Sequence, residues 1–290
     1  MKVADAGERL FVRLHEDATQ GPESEAPAGA LHALPVDAAL RGHLAHVLAY
    51  REQIAPGREL VERVLPDGHA RLVLHLGGDA APAALLIGAH AAPALVRLRG
   101  AMDGLSVTLQ PGATQALFGL PAGEIQGQAV PLEVLWQHEL PPLLEALAQA
   151  RDDGARLRAL RAVLLRRVRR AAASASSALV AHAAALLHDA EGVRSVRDVA
   201  AAVGVGERRL QQLFHLHVGL SPRTFARLAR LHAMLRALRQ RRARPAWAAL
   251  AADGGYYDQA HLANEFRALC GLSPGDFVRR AVSPSSKTAA

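Results

Sequence analysis

FHLHVGLSPRTF, residues 214–225, returns as FRALCGLSPGDF at 266–277, with Phe, Gly, Leu, Ser, Pro and Phe all displaced by 52 positions. Working outward, Ala200-x-x-x-Gly204 and Ala251-x-x-x-Gly255 occupy matching places before the repeats, as do Leu210 and Leu262. The glycines are 51 apart, so the second copy has one extra residue between turn and helix. A small residue, a glycine and then an apolar helical face describe helix, tight turn, helix. GLSP closes one helix with glycine and opens the next with proline. The unit is a duplicated helix-turn-helix.

The sequence around the repeats fits this reading. Gly192 ends ALVAHAAALLHDAEG, and Ser195 is an N-cap for VRDVAAAV with Asp198 three residues on, where a capping box places an acid. GERRLQQLFHLHV carries Leu210, Leu213 and Phe214 on one face. Pro222 then starts a long segment in which Phe225, Leu228, Leu231 (or His232) and Leu235 keep helical spacing, with Pro245 ending it. Such a helix of roughly 18–20 residues spans about 27–30 Å. Successive major-groove segments of a duplex are ~34 Å apart, so it suits a spacer between two reading helices.

Charge divides along the chain. The net charge of +7 over 290 residues combines −7 in 1–150 with +4 in 151–193 and +9 in 194–280. A basic C-terminal part behind an acidic one points to a polyanion partner for the former and a separate task for the latter. Mean hydropathy is +0.08, and no apolar run approaches the ~18 residues of a membrane span. MKVADAGERL has charges where a signal peptide would be apolar, so the expected location is cytoplasmic. The single cysteine, Cys270, excludes an intrachain disulfide and a thiolate zinc cluster, and it reads as a packed thiol.

From about 58 to 135 the periodicity is short. RELVERVL, HARLVLHL, AALLIGA, ALVRLR and GLSVTLQPG are branched apolar runs separated by PDG at 66–68, GGD at 77–79 and other turn signals, after a loop, GPESEAPAG, at 21–29. They predict a β-sandwich or barrel, followed by helical PLEVLW and LPPLLEALAQA. ARLRALRAVLLRRVRR then turns helical, with Leu157, Leu160, Leu164 and Val168 on one face, and SASS at 174–177 ends it and caps the next helix. That stripe either meets its twin in a homodimer or packs on the β-domain, and Arg166, Arg167, Arg169 and Arg170 beside it are further candidates to touch DNA. The fold class is α+β: a β-rich domain over 1–150, a helical linker over 151–176, an all-α double helix-turn-helix over 177–283 joined internally by a long helix, and a flexible tail at 284–290.

Residues 251–274, A-x-x-x-G-Y-Y-D-Q-A-H-L-x-x-x-F-R-x-x-x-G-x-S-P, resemble the most recognisable stretch of the AraC/XylS family of bacterial transcription regulators, and 177–283 resemble that family's DNA-binding domain. Residues 58–136, with RVLPDGHARLVLHLGG and a PGATQALFGLPAGE run, resemble an N-terminal domain that precedes it in many uncharacterised regulators. The resemblance implies a sequence-specific regulator without catalysis or cofactor. Its N-terminal domain, a cupin-like barrel, would sense a small molecule or mediate association.

Carried over position by position, the family pattern places base-edge contacts at Arg208, Gln211 and Gln212 in the first reading helix and at Gln259, Ala260, His261 and Asn264 in the second. Arg suits guanine, Gln and Asn suit adenine, and Ala meets a thymine methyl. Gln212 and Asn264 stand where the family often has arginine. Arg209, Arg223, Arg227, Arg267 and Arg279 are the candidates for backbone contacts. Partners implied are double-stranded DNA, a small-molecule effector, a second copy of the chain and, for an activator, RNA polymerase; the location is cytoplasmic, on the nucleoid when bound.

Two other readings stay open. A metal-dependent cupin-type enzyme domain fused to a DNA-binding module would use His69, His75 or His90; no His-x-His with a following Glu is present there, and His215 and His217 are too close to share a helical face. A nonspecific architectural DNA-binding protein would use the arginines alone.

Overall fold

The computed structural model describes residues 8–12, 23–24, 26–77, 83–171, 174–240 and 247–281. The tail at 284–290, Pro245, part of the loop at 21–29 and part of the GGD turn lie outside them. Among the described residues ten strands come first: β1 (Glu8–Val12), β2 (Glu23–Ser24), β3 (Leu31–Leu34), β4 (Leu44–Gln53), β5 (Leu60–Val64), β6 (Arg71–His75), β7 (Ala83–Ile87), β8 (Ala94–Leu98), β9 (Ala101–Leu109) and β10 (Ala129–Pro131). They form a six-stranded antiparallel sheet, β10-β7-β6-β9-β4-β3, and a four-stranded sheet, β2-β1-β5-β8, in which β1 and β5 run parallel. The predicted β-rich domain is present.

Period-two burial builds the larger sheet. Leu72 and Leu74 of β6 and Leu105 and Val107 of β9 are fully buried, and β6 and β9 pair Leu72 with Val107 and Leu74 with Leu105. The longest strand, β4, was not among the predicted runs. Its register shifts between Leu44 and His46, and beyond the shift Val47, Leu48 and Ala49 are buried in succession, on both faces of the strand. Burial on both faces removes the sequence signal while leaving the strand paired.

Four helices complete this half: α1 (Ala113–Phe118), α2 (Leu132–Leu135), α3 (Leu140–Gln149) and α4 (Asp153–Arg170). Of the two surfaces considered for the stripe of the helical linker, the β-domain is the one it meets: Leu160, Val163 and Leu164 of α4 join the sheet residues Val47, Leu72 and Leu105 in the first core. Ion pairs hold both ends of α4. Arg156 makes two 2.7 Å hydrogen bonds to Asp103 of β9, which hold the Asp103 carboxyl below its ordinary range. Arg166, Arg167 and Arg170 converge on Glu139, and the Arg167 guanidinium lies 4.8 Å over the ring of buried Trp136. Three of the four arginines considered for DNA are thus engaged within the N-terminal half.

The rest is helical: α5 (Ala175–Asp189), α6 (Val196–Ala202), α7 (Glu207–Val218), α8 (Pro222–Gln240), α9 (Trp247–Asp253), α10 (Gln259–Cys270) and α11 (Pro274–Ala281). Ser174 caps α5 by accepting from Ser177 N–H, as the SASS stretch predicts. Their core, with Val199, Leu210, Phe214, Leu228, Leu262 and Phe266, extends into the N-terminal half through Leu10, Leu65 and Ala89. Among the described residues no helix is long and apolar enough to cross a membrane.

Candidate nucleic-acid interface

The two turns have the same backbone hydrogen bonds. Val205 N–H donates to Ala200 O at 3.0 Å and Tyr256 N–H to Ala251 O at 2.9 Å, while Gly204 and Gly255 donate to Ala201 O and Ala252 O at 3.1 and 3.2 Å. Both glycines take left-handed angles, φ 73° and 67°, which glycine adopts without steric cost. Ala200 and Ala251 are each 2 % exposed; their small side chains let α7 and α10 pack closely on α6 and α9.

The chain just beyond each reading helix is also duplicated. Gly219 and Gly271 end α7 and α10 in the left-handed region. Ser221 Oγ then accepts from Thr224 N–H at 3.0 Å, and Ser273 Oγ from Asp276 N–H at 3.1 Å, starting α8 and α11. Phe214 meets Phe225 edge-on at 5.9 Å, and Phe266 meets Phe277 edge-on at 5.4 Å. The repeated phenylalanines therefore fasten each reading helix to its successor, and the repeated serine and glycine set the corner between them.

With their inner faces fixed, α7 and α10 present the opposite ones. Arg208, Gln211 and Gln212 of α7 and Gln259, Ala260, His261 and Asn264 of α10 are all exposed. Asp258 caps α10 through His261 N–H at 2.7 Å. The His261 ring is oriented twice, by the edge of Tyr256 at 5.7 Å and by Tyr257 N–H donating to Nδ1 at 3.3 Å. Nδ1 being the acceptor, the neutral ring carries its proton on Nε2. Arg267 Nη1 donates to Asn264 Oδ1 at 3.5 Å.

The backbone candidates divide. Arg209, Arg223 and Arg267 are exposed. Arg227 is half-buried, and its Nε donates to Glu265 Oε1 at 2.7 Å, which ties α8 to α10. Arg279 is exposed and pairs with Asp276 of its own helix. Arg227 thus has a structural partner that sequence spacing does not reveal.

The opposite ends of both reading helices rest on the β-domain. At the end of α7, His217 O accepts from Gly112 N–H at 3.0 Å. His215 lies against Gly123, where a Cβ would stand 2.8 Å from the His215 carbonyl oxygen. At the end of α10, Cys270 O accepts from Arg63 Nη1 at 3.4 Å, and Cys270 is fully buried, its thiol pushed up by burial. Between them, buried His232 of α8 donates from Nε2 to Pro66 O at 2.8 Å; burial pushes its pKa down. Arg63, Pro66 and Gly112 have no sequence signal for this role; Pro66 lies 166 positions from His232.

The histidines considered for metal lie in separate surroundings. His69 meets Phe225 edge-on at 6.0 Å, His75 stacks on Tyr50 at 6.3 Å, and His90 Nδ1 lies 2.5 Å from Ala92 O. Among the described residues no group of three His, Cys, Asp or Glu could hold a metal ion.

Residues 199–280 match a family model described as a helix-turn-helix domain, and residues 32–131 match one described as a domain of unknown function (DUF6597). No curated protein matches the chain. Similar solved structures include a transcriptional regulator with an AraC-type DNA-binding domain from Chromobacterium violaceum, 23 % identical, covering 38 % of this chain and 96 % of that one at a TM-score of 0.34. ToxT from Vibrio cholerae O395 is 8 % identical, with coverage of 82 % and 98 % and a TM-score of 0.42. Wild-type ToxT bound to an unsaturated fatty acid, from strain SCE256, is also 8 % identical, with 80 % and 90 % and a TM-score of 0.37.

Proposed function

We infer that this chain, which carries an AraC-type helix-turn-helix domain behind a domain of unknown function, is a DNA-binding transcription regulator that reads two successive major-groove segments of one operator. The observation that carries this reading is the duplicated turn, with matching hydrogen bonds, that leaves seven polar or small side chains exposed on α7 and α10. A recognition helix contacts bases mainly through its N-terminal residues, and the exposed candidates begin at Arg208 and Gln259, the second and first residues of their helices. The net charge of +9 over 194–280 supplies the sequence-independent attraction to phosphate.

Arg208, Gln211, Gln212, Gln259, Ala260, His261 and Asn264 meet base edges, and Arg209, Arg223 and Arg267 meet phosphates. The β-domain regulates rather than catalyses: it touches the trailing ends of both reading helices, so a small molecule that favours one packing of that seam changes their relative orientation, and with it DNA affinity. The protein works in the cytoplasm.

The test is enrichment of genomic fragments on the purified chain, followed by gel-shift titration at moderate salt. A specific operator bound about a thousandfold or more above nonspecific competitor is the expected result. Uniform affinity for all fragments with a steep salt slope would instead mark an architectural protein.

A further inference from the structure

Two arginines of α8, Arg227 and Arg230, lie three residues apart and so share a face of that helix, and both reach the second helix-turn-helix. Arg227 Nε donates to Glu265 Oε1 of α10 at 2.7 Å. The two side chains are 34 % and 14 % exposed, which leaves the pair less open to screening than one on the surface. The Arg230 guanidinium lies 5.5 Å from the centre of the Tyr256 ring, within cation–π range, and its Nη2 donates to Gly192 O at 3.0 Å. One side chain thus holds both the turn that leads into α6, in the first unit, and the residue that follows the turn glycine of the second.

The two units also meet there directly. Gly192 sits so close to α8 that a Cβ on it would overlap the Ala226 carbonyl. The Val193 methyls stand 3.7 and 4.0 Å from where a Cβ on Gly255 would lie, an ordinary packing distance. Tyr256 is buried and meets the His261 ring edge-on, so the same contacts reach a side chain assigned to base edges. The length of α8 sets how far apart two readers can stand. It does not set how one is turned about the rod relative to the other, and side contacts from Arg227 and Arg230 supply that second constraint.

We propose that Arg227 and Arg230, with Glu265, Tyr256 and the Gly192 carbonyl, form a joint that locks α10 in one orientation relative to α7, and that this makes the protein selective for the spacing between the two halves of its operator. One base pair more or less displaces the second half by ~3.4 Å and turns it by ~35° about the duplex axis. A locked pair of readers cannot follow that change, whereas a loose pair can. The joint stands on the contacts above; the selectivity for spacing rests on the function already proposed.

Pulsed electron paramagnetic resonance on the full chain tests the joint without DNA. Spin labels go on Gln212→Cys and Asn264→Cys, exposed and equivalent positions of the two repeats, while native Cys270 is buried. A single narrow distance is expected, and Arg230→Met combined with Glu265→Gln should broaden it while circular dichroism stays that of a folded chain. Should the combination not fold, Arg230→Met alone carries the same expectation. A broad distance in the parent overturns the joint. So does a distance that the folded variant leaves narrow, and if Arg63→Met broadens it instead, the β-domain holds the readers. On an operator, the parent should lose about tenfold for each base pair inserted or removed between the halves, because simultaneous engagement is then forbidden. The variant should bind an isolated half as the parent does, bind the native spacing about tenfold more weakly, and bind spacings one base pair apart within about threefold of each other. An unchanged spacing profile refutes the selectivity, as do equal losses on the half and the whole operator, which would reduce these residues to holding one reader's fold. Failure to find any operator sinks the regulator reading, and the label distances still decide the joint.

Discussion

His261 shows what one hydrogen bond decides at a reading surface. Because Tyr257 N–H occupies Nδ1, the neutral ring offers Nε2–H, a donor that suits guanine N7 or O6, adenine N7 or thymine O4. His261→Phe keeps a ring beside Tyr256 and removes the donor. It should weaken a cognate operator by about 1–3 kcal/mol in fluorescence anisotropy while nonspecific binding holds. Arg208→Ala and Gln211→Ala should each do the same from α7, whereas equal losses on cognate and nonspecific DNA would return those side chains to phosphate contact. The repeat made their exposure legible, because turn, cap and apolar face leave one side of each helix for solvent; their assignment to bases came from the family resemblance and remains a proposal. The partner of Arg227 was not legible: Glu265 lies 38 positions away and only the folded chain brings it near.

At the scale of elements, local chemistry was most legible where it was repeated. Ser195 and Ser174 of the SASS stretch cap the helices the sequence assigns them, since a cap needs only residues three positions apart; Ser221 and Ser273, read only as part of the GLSP corners, are caps as well. Strand β4 escaped because burial of Val47, Leu48 and Ala49 on both faces, after a register shift at Leu44, removes the alternation that identifies strands. Helix α4 kept its apolar stripe in the sequence, but nothing local distinguishes a sheet from a second copy as the surface that covers it. Asp103 decides in part how firmly it is held. With its carboxyl lowered by Arg156, the pair stabilises the fold above the ordinary carboxylate range, and that contribution fades as pH falls through the depressed value. Arg156→Ala should therefore cost about 2 kcal/mol at pH 7 in urea denaturation. Its deficit relative to the parent should shrink in acid below pH ~4; a deficit unchanged there would show that lost packing, rather than the charge pair, sets the cost.

Across the whole molecule, the acidic and basic halves announced two tasks, and the structure joins them through one continuous apolar core and polar contacts at His232, Arg63 and Gly112. That seam was invisible in the sequence, since its contacts have no periodicity and no motif. It matters because it touches the trailing ends of α7 and α10 and leaves their leading ends exposed. Helix α8, at 19 residues, is about 28 Å long, a spacer length that suits the proposed reading of neighbouring turns on one face of a duplex. Helical phasing tests this most directly. With an operator in hand, affinity is measured after inserting 5 and then 10 base pairs between its two halves. Insertion of 5 should reduce binding to that of a single half-site, by turning the second groove away from the protein, and 10 should not restore it, because rigid α8 cannot stretch a further turn. Undiminished affinity at 5 base pairs would contradict the paired reading.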